Sequence, residues 1–388
     1  MNNADLSPTQ DASNGQSPLR SLVTLAQYSD EQTRLISFYF SLSSFSDKSH
    51  REELLSIKHL IASAQQKLPM GRDTSGVSED LEQISNMRES IRAVPSVFRV
   101  VFACSDKQIW QEFRLPLCRS ISSLEISRNF RIVPLLRALQ ECDPYVVALI
   151  ENGKTRAFTV SGEEIHEVKN QFPEADLTLH VDDSRVGWSH HIDANVEDRA
   201  QAYLRSTSSL LREWMTEKHY KHLVIGCRED LWGALEPQLV KLGMASKIAG
   251  SFHLPGFEAT PNQVLDAAKP IFVKRLEKLY EDFWNDLRES PARSVVGIHD
   301  VLENLESGHV KKLFLGEIPD QSVFECVNCA KWQLDDGKKC KACGSSELAA
   351  TPAAELIARK AVLAGIEILA PGAGTSLAPH LVGAQLRY

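Results

Sequence analysis

The sequence predicts a multidomain protein of mixed α/β (α+β) class, and three observations carry that reading. At 388 residues the chain is too long for one ordinary core. Short apolar runs with strand character alternate with amphipathic helical stretches over its whole length, as layered α/β folds require. Hydrophobic residues at 43% leave room for several cores, and charged residues at 24% keep the surface wet. No apolar run reaches the roughly 18 residues of a membrane span.

The elements follow in order. Residues 1–18, MNNADLSPTQDASNGQSP, carry neither a basic start nor an apolar segment. They read as a disordered tail with no export signal, hence a cytoplasmic protein. A first domain is expected over 19–142. It opens with a weak helix at 19–27 and an aromatic strand at 35–42, followed by an amphipathic helix at 51–65. A polar connection at 70–76 leads to a helix at 79–93, and Arg72 in that connection is a candidate RNA contact. Residues 97–104 are almost uniformly apolar, which puts them in a strand central to a sheet. A further strand at 108–117 and a short helix opening near Arg131 complete this part.

A second domain is expected over 143–258. Asn152-Gly153 between two apolar runs is a hairpin turn, because both residues accept positive φ. An extended run at 177–181 leads to the loop 182–193, DDSRVGWSHHID. A long helix follows, with Asn195 placed as its cap and an apolar stripe from Val196 to Trp214. Held at both ends, the loop presents Arg185, Trp188, His190 and His191: a cation, a stacking ring and two imidazoles. A buried strand at 222–227 and a helix at 230–242 come next. Cys227 at the strand's end reads as a buried structural thiol rather than a nucleophile.

The third domain, 259–388, starts with a capping box, Thr260 to Gln263, with Pro261 in the first turn. Its helix runs to about residue 289 and Pro270 is expected to kink it. A helix at 298–306, a strand at 310–315, a helix at 353–364, a strand at 366–369 and a closing segment at 383–388 follow. Inserted among them, over 324–348, are Cys326-Val327-Asn328-Cys329 and Cys340-Lys341-Ala342-Cys343, ten residues apart. Two such knuckles bring four thiolates around one tetrahedral ion at about 2.3 Å, a structural zinc ribbon with no open position for catalysis. An iron site of the same geometry is the alternative. Disulfides are disfavoured in the absence of a secretion signal. Lys331, Lys338, Lys339 and Lys341 make the ribbon's tip locally basic despite Asp335 and Asp336.

The formal charge is −8 overall, and 0, −6 and −2 over the three expected domains. No part is a basic polyelectrolyte, so binding to nucleic acid must use local patches and shape.

The loop 182–193 and its flanks, the opening hairpin with Arg156, and the terminal Leu-Arg-Tyr resemble the archaeal and eukaryotic class-1 peptide-chain release factor and Pelota family. The likeness is closest to their bacterial homologues, which include ribosome hibernation factors. In the release factors this loop carries Gly-Gly-Gln and positions water against peptidyl-tRNA. Here no Gly-Gly pair occurs in the chain. The resemblance implies three domains that enter the ribosomal A site, the first facing the decoding centre and the loop facing rRNA and tRNA of the peptidyl-transferase centre. The third would meet elongation factor Tu or another translational GTPase. Three functions follow in order: a non-enzymatic factor occupying the A site of idle ribosomes, a Pelota-type rescue factor, and a peptidyl-tRNA hydrolase or nuclease using His190 and His191 as acid and base.

Overall fold

The computed structural model describes residues 18–30, 34–41, 47–66, 68, 75–87, 97–117, 121–151, 153–169, 172, 189–253, 257–318, 321–372 and 382–388. Contacts divide the chain into two compact units, residues 1–142 together with 279–388, and residues 143–278. Among the described residues no helix is long and apolar enough to cross a membrane.

The first unit opens with α1 (Pro18–Gln27), β1 (Leu35–Ser41), α2 (Asp47–Gln66) and α3 (Ser75–Asn86). Then come β2 (Val97–Cys104), β3 (Ile109–Pro116), β4 (Ser122–Ser127) and α4 (Val133–Glu141). The strands form one antiparallel sheet in the order β3-β2-β1-β4. Every residue of β1 and β2 is buried, because both faces are covered. Ile36, Phe38, Phe40, Val101 and Ala103 point to α2 and α3. Tyr39, Phe98, Val100 and Phe102 alternate with them and point to the core shared with α1 and α4. The sequence places α3 at 79–93, but the helix starts earlier, at Ser75; residues 88–96 lie outside the described residues. Asp80 ties it down: its carboxylate accepts the Ser105 N–H at 2.9 Å and the Ser105 hydroxyl at 2.6 Å, in the turn between β2 and β3.

The second unit holds β5 (Tyr145–Glu151), β6 (Lys154–Ser161), β7 (Glu164–Val168) and α5 (Ser189–Glu217). These are followed by β8 (Leu223–Gly226), α6 (Glu229–Lys241), β9 (Ile248–Phe252) and the start of α7 (Pro261–Glu289). Its sheet has the order β7-β6-β5-β8-β9; β5, β8 and β9 run parallel, while β6 and β7 pair antiparallel. One face packs on α5 and α6 through Tyr203, Leu211, Trp214, Leu235 and Leu239. The other packs on α7 through Val264, Ala268 and Phe272. β8 ends in Gly226 because a Cβ there would come within 2.3 Å of Leu149 Cδ2 and 2.8 Å of the Phe252 ring. Gly153, with φ 79°, turns β5 into β6. The α7 cap is as expected: the Thr260 N–H donates to Gln263 Oε1 at 2.9 Å and the Gln263 N–H returns to Thr260 Oγ1 at 3.4 Å. The helix continues through Pro270.

One expectation fails here. The long helix does not begin after Asn195 but at Ser189, six residues before the expected cap. His190, His191 and Asp193 therefore belong to the helix and not to a loop. A local capping preference is worth only about 1 kcal/mol, and the 29-residue helix runs through Asn195 in spite of it.

The chain then returns to the first unit with β10 (Ser294–Val296), α8 (Ile298–Glu306), β11 (Val310–Leu315), β12 (Ser322–Cys326), β13 (Trp332–Gln333) and β14 (Leu348–Pro352). It finishes with α9 (Ala353–Leu363), β15 (Glu367–Leu369) and β16 (Val382–Leu386). A four-stranded sheet of order β10-β16-β11-β15 meets Phe283 and Trp284 of α7 at Phe314. Its other face packs on α8 and α9, in one core with α1, α4, β1 and β2. Polar contacts lock this seam between distant parts of the chain. The Glu355 carboxylate accepts the N–H of Ile132 at 2.8 Å and of Val133 at 3.3 Å, at the start of α4. Gln140 donates to the Ile368 carbonyl and accepts the Ala370 N–H at 2.9 Å. Arg137 donates to the Gly316 carbonyl at 2.9 Å.

Candidate metal centre

β12, β13 and β14 form a separate three-stranded antiparallel sheet, order β13-β12-β14, which carries both cysteine knuckles. The knuckles repeat one local geometry. In the first, the Cys326 N–H donates to the Lys331 carbonyl at 2.8 Å and the Ala330 N–H returns to the Cys326 carbonyl at 2.9 Å. In the second, the Cys340 N–H donates to the Ser345 carbonyl at 2.7 Å and the Gly344 N–H to the Cys340 carbonyl at 2.8 Å. The residue after each second cysteine takes positive φ, 56° at Ala330 and 78° at Gly344. Gly344 does so freely, whereas Ala330 is held there by the turn's hydrogen bonds.

The folding of the two knuckles brings Cys326 Sγ to 3.6 Å from Cys343 Sγ, and Cys329 Sγ to 3.6 Å from Cys340 Sγ. All four sulfurs lie within 4.8 Å of one another. A tetrahedral ion with sulfur ligands at about 2.3 Å has ligand–ligand edges near 3.8 Å, so the cluster fits a metal such as zinc. Backbone N–H groups of Cys343 and Ala342 aimed at the Cys340 sulfur hold its thiol down to about 6. The N–H groups of Cys329 and Asn328 lower Cys326 likewise. At Cys329 the N–H of Lys331 lowers the thiol, but burial and the neighbouring sulfurs outweigh it and push the group up to about 12. A cation placed among the four sulfurs relieves that crowding of negative charge.

The side chains around the cluster fix it in the unit. Lys341 N–H donates to Gln333 Oε1 at 3.1 Å. Glu325 of β12 pairs with Arg359 of α9, both nearly buried. Glu306 of α8 takes both Lys331, at 2.9 Å, and Lys360, at 3.1 Å. The expected basic tip is thus partly neutralised: Lys331 is committed to Glu306 and Lys341 to Asp335 at 2.8 Å. Lys338 and Lys339 are exposed.

Of the other candidate residues, Arg72, Arg185 and Trp188 lie outside the described residues. His190 and His191 fall in the first turn of α5, and their side chains are likewise outside them. Cys227 is buried, and burial pushes its thiol up to about 11, which disfavours the thiolate. His299, Asp300 and Glu303 of α8 also converge within 4.8 Å, on an exposed face. Sequence reading missed this group; its signal is the i, i+4 spacing of His299 and Glu303 on a helix.

Comparison with known proteins bears mainly on the second unit. Residues 131–272 match the model of bacterial archaeo-eukaryotic release factor family 10. That stretch takes in α4 and all but the last six residues of the second unit. Among solved structures, the archaeal translation termination factor aRF1 is 15% identical over 95% of this chain and 98% of its own, with TM-score 0.23. Pelota of Archaeoglobus fulgidus is 11% identical over 95% and 92%, with TM-score 0.33. Dom34 of S. cerevisiae, described as a translation termination-like factor interacting with Hbs1, is 10% identical over 95% and 92%, with TM-score 0.41. A comparison with curated proteins finds no match.

Proposed function

We propose that this protein is a ribosome-associated translation factor that occupies the A site of idle ribosomes, as the hibernation factor Balon does, without hydrolysing peptidyl-tRNA. One observation carries the reading. The release-factor family match spans residues 131–272, and inside it the segment 182–193 reads DDSRVGWSHHID in a chain without a Gly-Gly pair. The position of the release chemistry is kept and its residues are not. The three-part order of the family gives the rest: residues 19–142 toward the decoding centre, residues 182–193 toward the peptidyl-transferase centre, and residues 259–388 toward elongation factor Tu or another translational GTPase. The metal we assign to the four cysteines is zinc, as structural support and not for catalysis.

Arg185 then serves as a phosphate contact and Trp188 as a stacking surface for a base, each worth about 1–3 kcal/mol. Sedimentation of lysates from growing and starved cells tests the reading: the protein runs with idle ribosomes after starvation, and Arg185→Ala with Trp188→Ala removes it from them while the melting temperature stays put. Unchanged co-sedimentation of the double variant overturns the role of this segment. Reconstituted ribosomes carrying peptidyl-tRNA show no hydrolysis on addition of the protein. Turnover that vanished with His190→Ala or His191→Ala would replace this reading with an enzymatic one.

A further inference from the structure

We propose that Cys343 is an oxidation site, at which a peroxide converts Cys343 and Cys326 into a disulfide and releases the bound ion. This rests on the reading of the cluster as a zinc site. Two features of the ribbon support it. The four ligands differ in access: Cys326 and Cys340 are buried, Cys329 is intermediate, and Cys343 is exposed. The partner needed to resolve an oxidised Cys343 is already beside it, with Cys326 Sγ at 3.6 Å.

The Cys343 thiolate attacks the O–O bond of hydrogen peroxide; a sulfur–oxygen bond forms, the O–O bond breaks, and hydroxide leaves. The Cys326 thiolate then attacks the sulfenic sulfur of Cys343, the S–S bond forms, and a second hydroxide leaves. Two electrons pass from the two sulfurs to the peroxide, and two protons from solvent neutralise the hydroxides. Cys329 and Cys340 remain as the only thiolate ligands, too few to hold the ion against a chelator. A thiol reductant reverses the step.

The test uses the full chain, purified with its metal and assayed first for zinc. Hydrogen peroxide is added in the presence of a chromogenic chelator, and the thiols are mapped by differential alkylation. The expected result is zinc release in step with loss of the Cys343 and Cys326 thiols, and recovery of both after dithiothreitol and zinc. Metal-loaded protein that keeps its zinc, or that first loses the thiols of Cys329 and Cys340, overturns this inference alone. Protein purified without any metal overturns the zinc assignment and this inference with it.

Discussion

Two antiparallel sheets of the first unit are built on opposite principles. In the sheet β3-β2-β1-β4 the two central strands are buried at every residue, with Tyr39, Phe102, Phe113 and Phe130 in edge-to-face contact. In the sheet β13-β12-β14, Val323 is the only buried aliphatic side chain across residues 322–352. The first sheet has two faces to cover with helices and is held by apolar burial. The second is too small to enclose a core; it carries instead four clustered sulfurs that could hold a metal such as zinc, and ion pairs to α8 and α9. Apolar burial and a metal site are stabilising mechanisms that different treatments separate.

The largest expected effect breaks the ribbon. Chelation of the metal, or Cys340→Ser, removes local folding energy on the order of 10 kcal/mol. Hydrogen exchange should show the amides of 322–352 exchanging freely while those of β1 and β2 stay protected. Loss of protection in both regions at once would mean the ribbon is not a separate stabilising device. The converse variant, Phe102→Ala, strips the aromatic contacts with Tyr39, Phe113 and Phe130. A loss of about 3–5 kcal/mol is expected in urea unfolding, with the zinc content of the folded protein unchanged.

A smaller effect tests how the ribbon is tied to the rest. Glu325→Ala leaves Arg359, whose side chain is 12% exposed, without its partner. Breaking such a nearly buried pair should cost about 2 kcal/mol or more, whereas Glu325→Leu with Arg359→Met should come out close to neutral. Equal losses in the single and double variants would show that the pair's charge is not what joins β12 to α9.

The smallest effect lies one turn earlier on α9 and is read as a pH dependence. The Glu355 carboxyl lies inward against the N-terminus of α4, and burial pushes it from 4.5 up to about 7 against the pull of the Ile132 and Val133 N–H groups and of Arg131. A raised carboxyl pKa means folding takes up a proton between those values. Its contribution is therefore full below 4.5, declines as the pH rises toward about 7, and is level above that. Glu306, lowered chiefly by Lys331 and Lys360 in spite of burial, acts in the opposite sense, its contribution being lost as the pH falls through its folded value. Glu355→Gln keeps an acceptor for the two N–H groups and should flatten the slope between 4.5 and 7 in thermal melts. An unchanged slope would place that titration elsewhere.

Much of this was legible in the residues because it is local. The knuckle spacing gives the four-thiolate cluster, the apolar run 97–104 gives a central strand, Thr260 and Gln263 give the α7 cap, and the spans of α8 and β11 can be read off their periodicity. The short polar edge strand β7 and the brief strands β9 and β10 carry too little pattern to be seen before their neighbours are in place. Asn195 misled for a related reason: a capping preference is local and worth only about 1 kcal/mol, and here the helix reaches back to Ser189. The tertiary structure alone decides that α9 from the end of the chain shares a core with α1 and α4 from its beginning, and that Glu355 reaches across 222 residues to cap α4. Contacts of that separation leave no periodicity behind, since each half of the pair looks like an ordinary helix face or a solvated carboxylate until the other arrives.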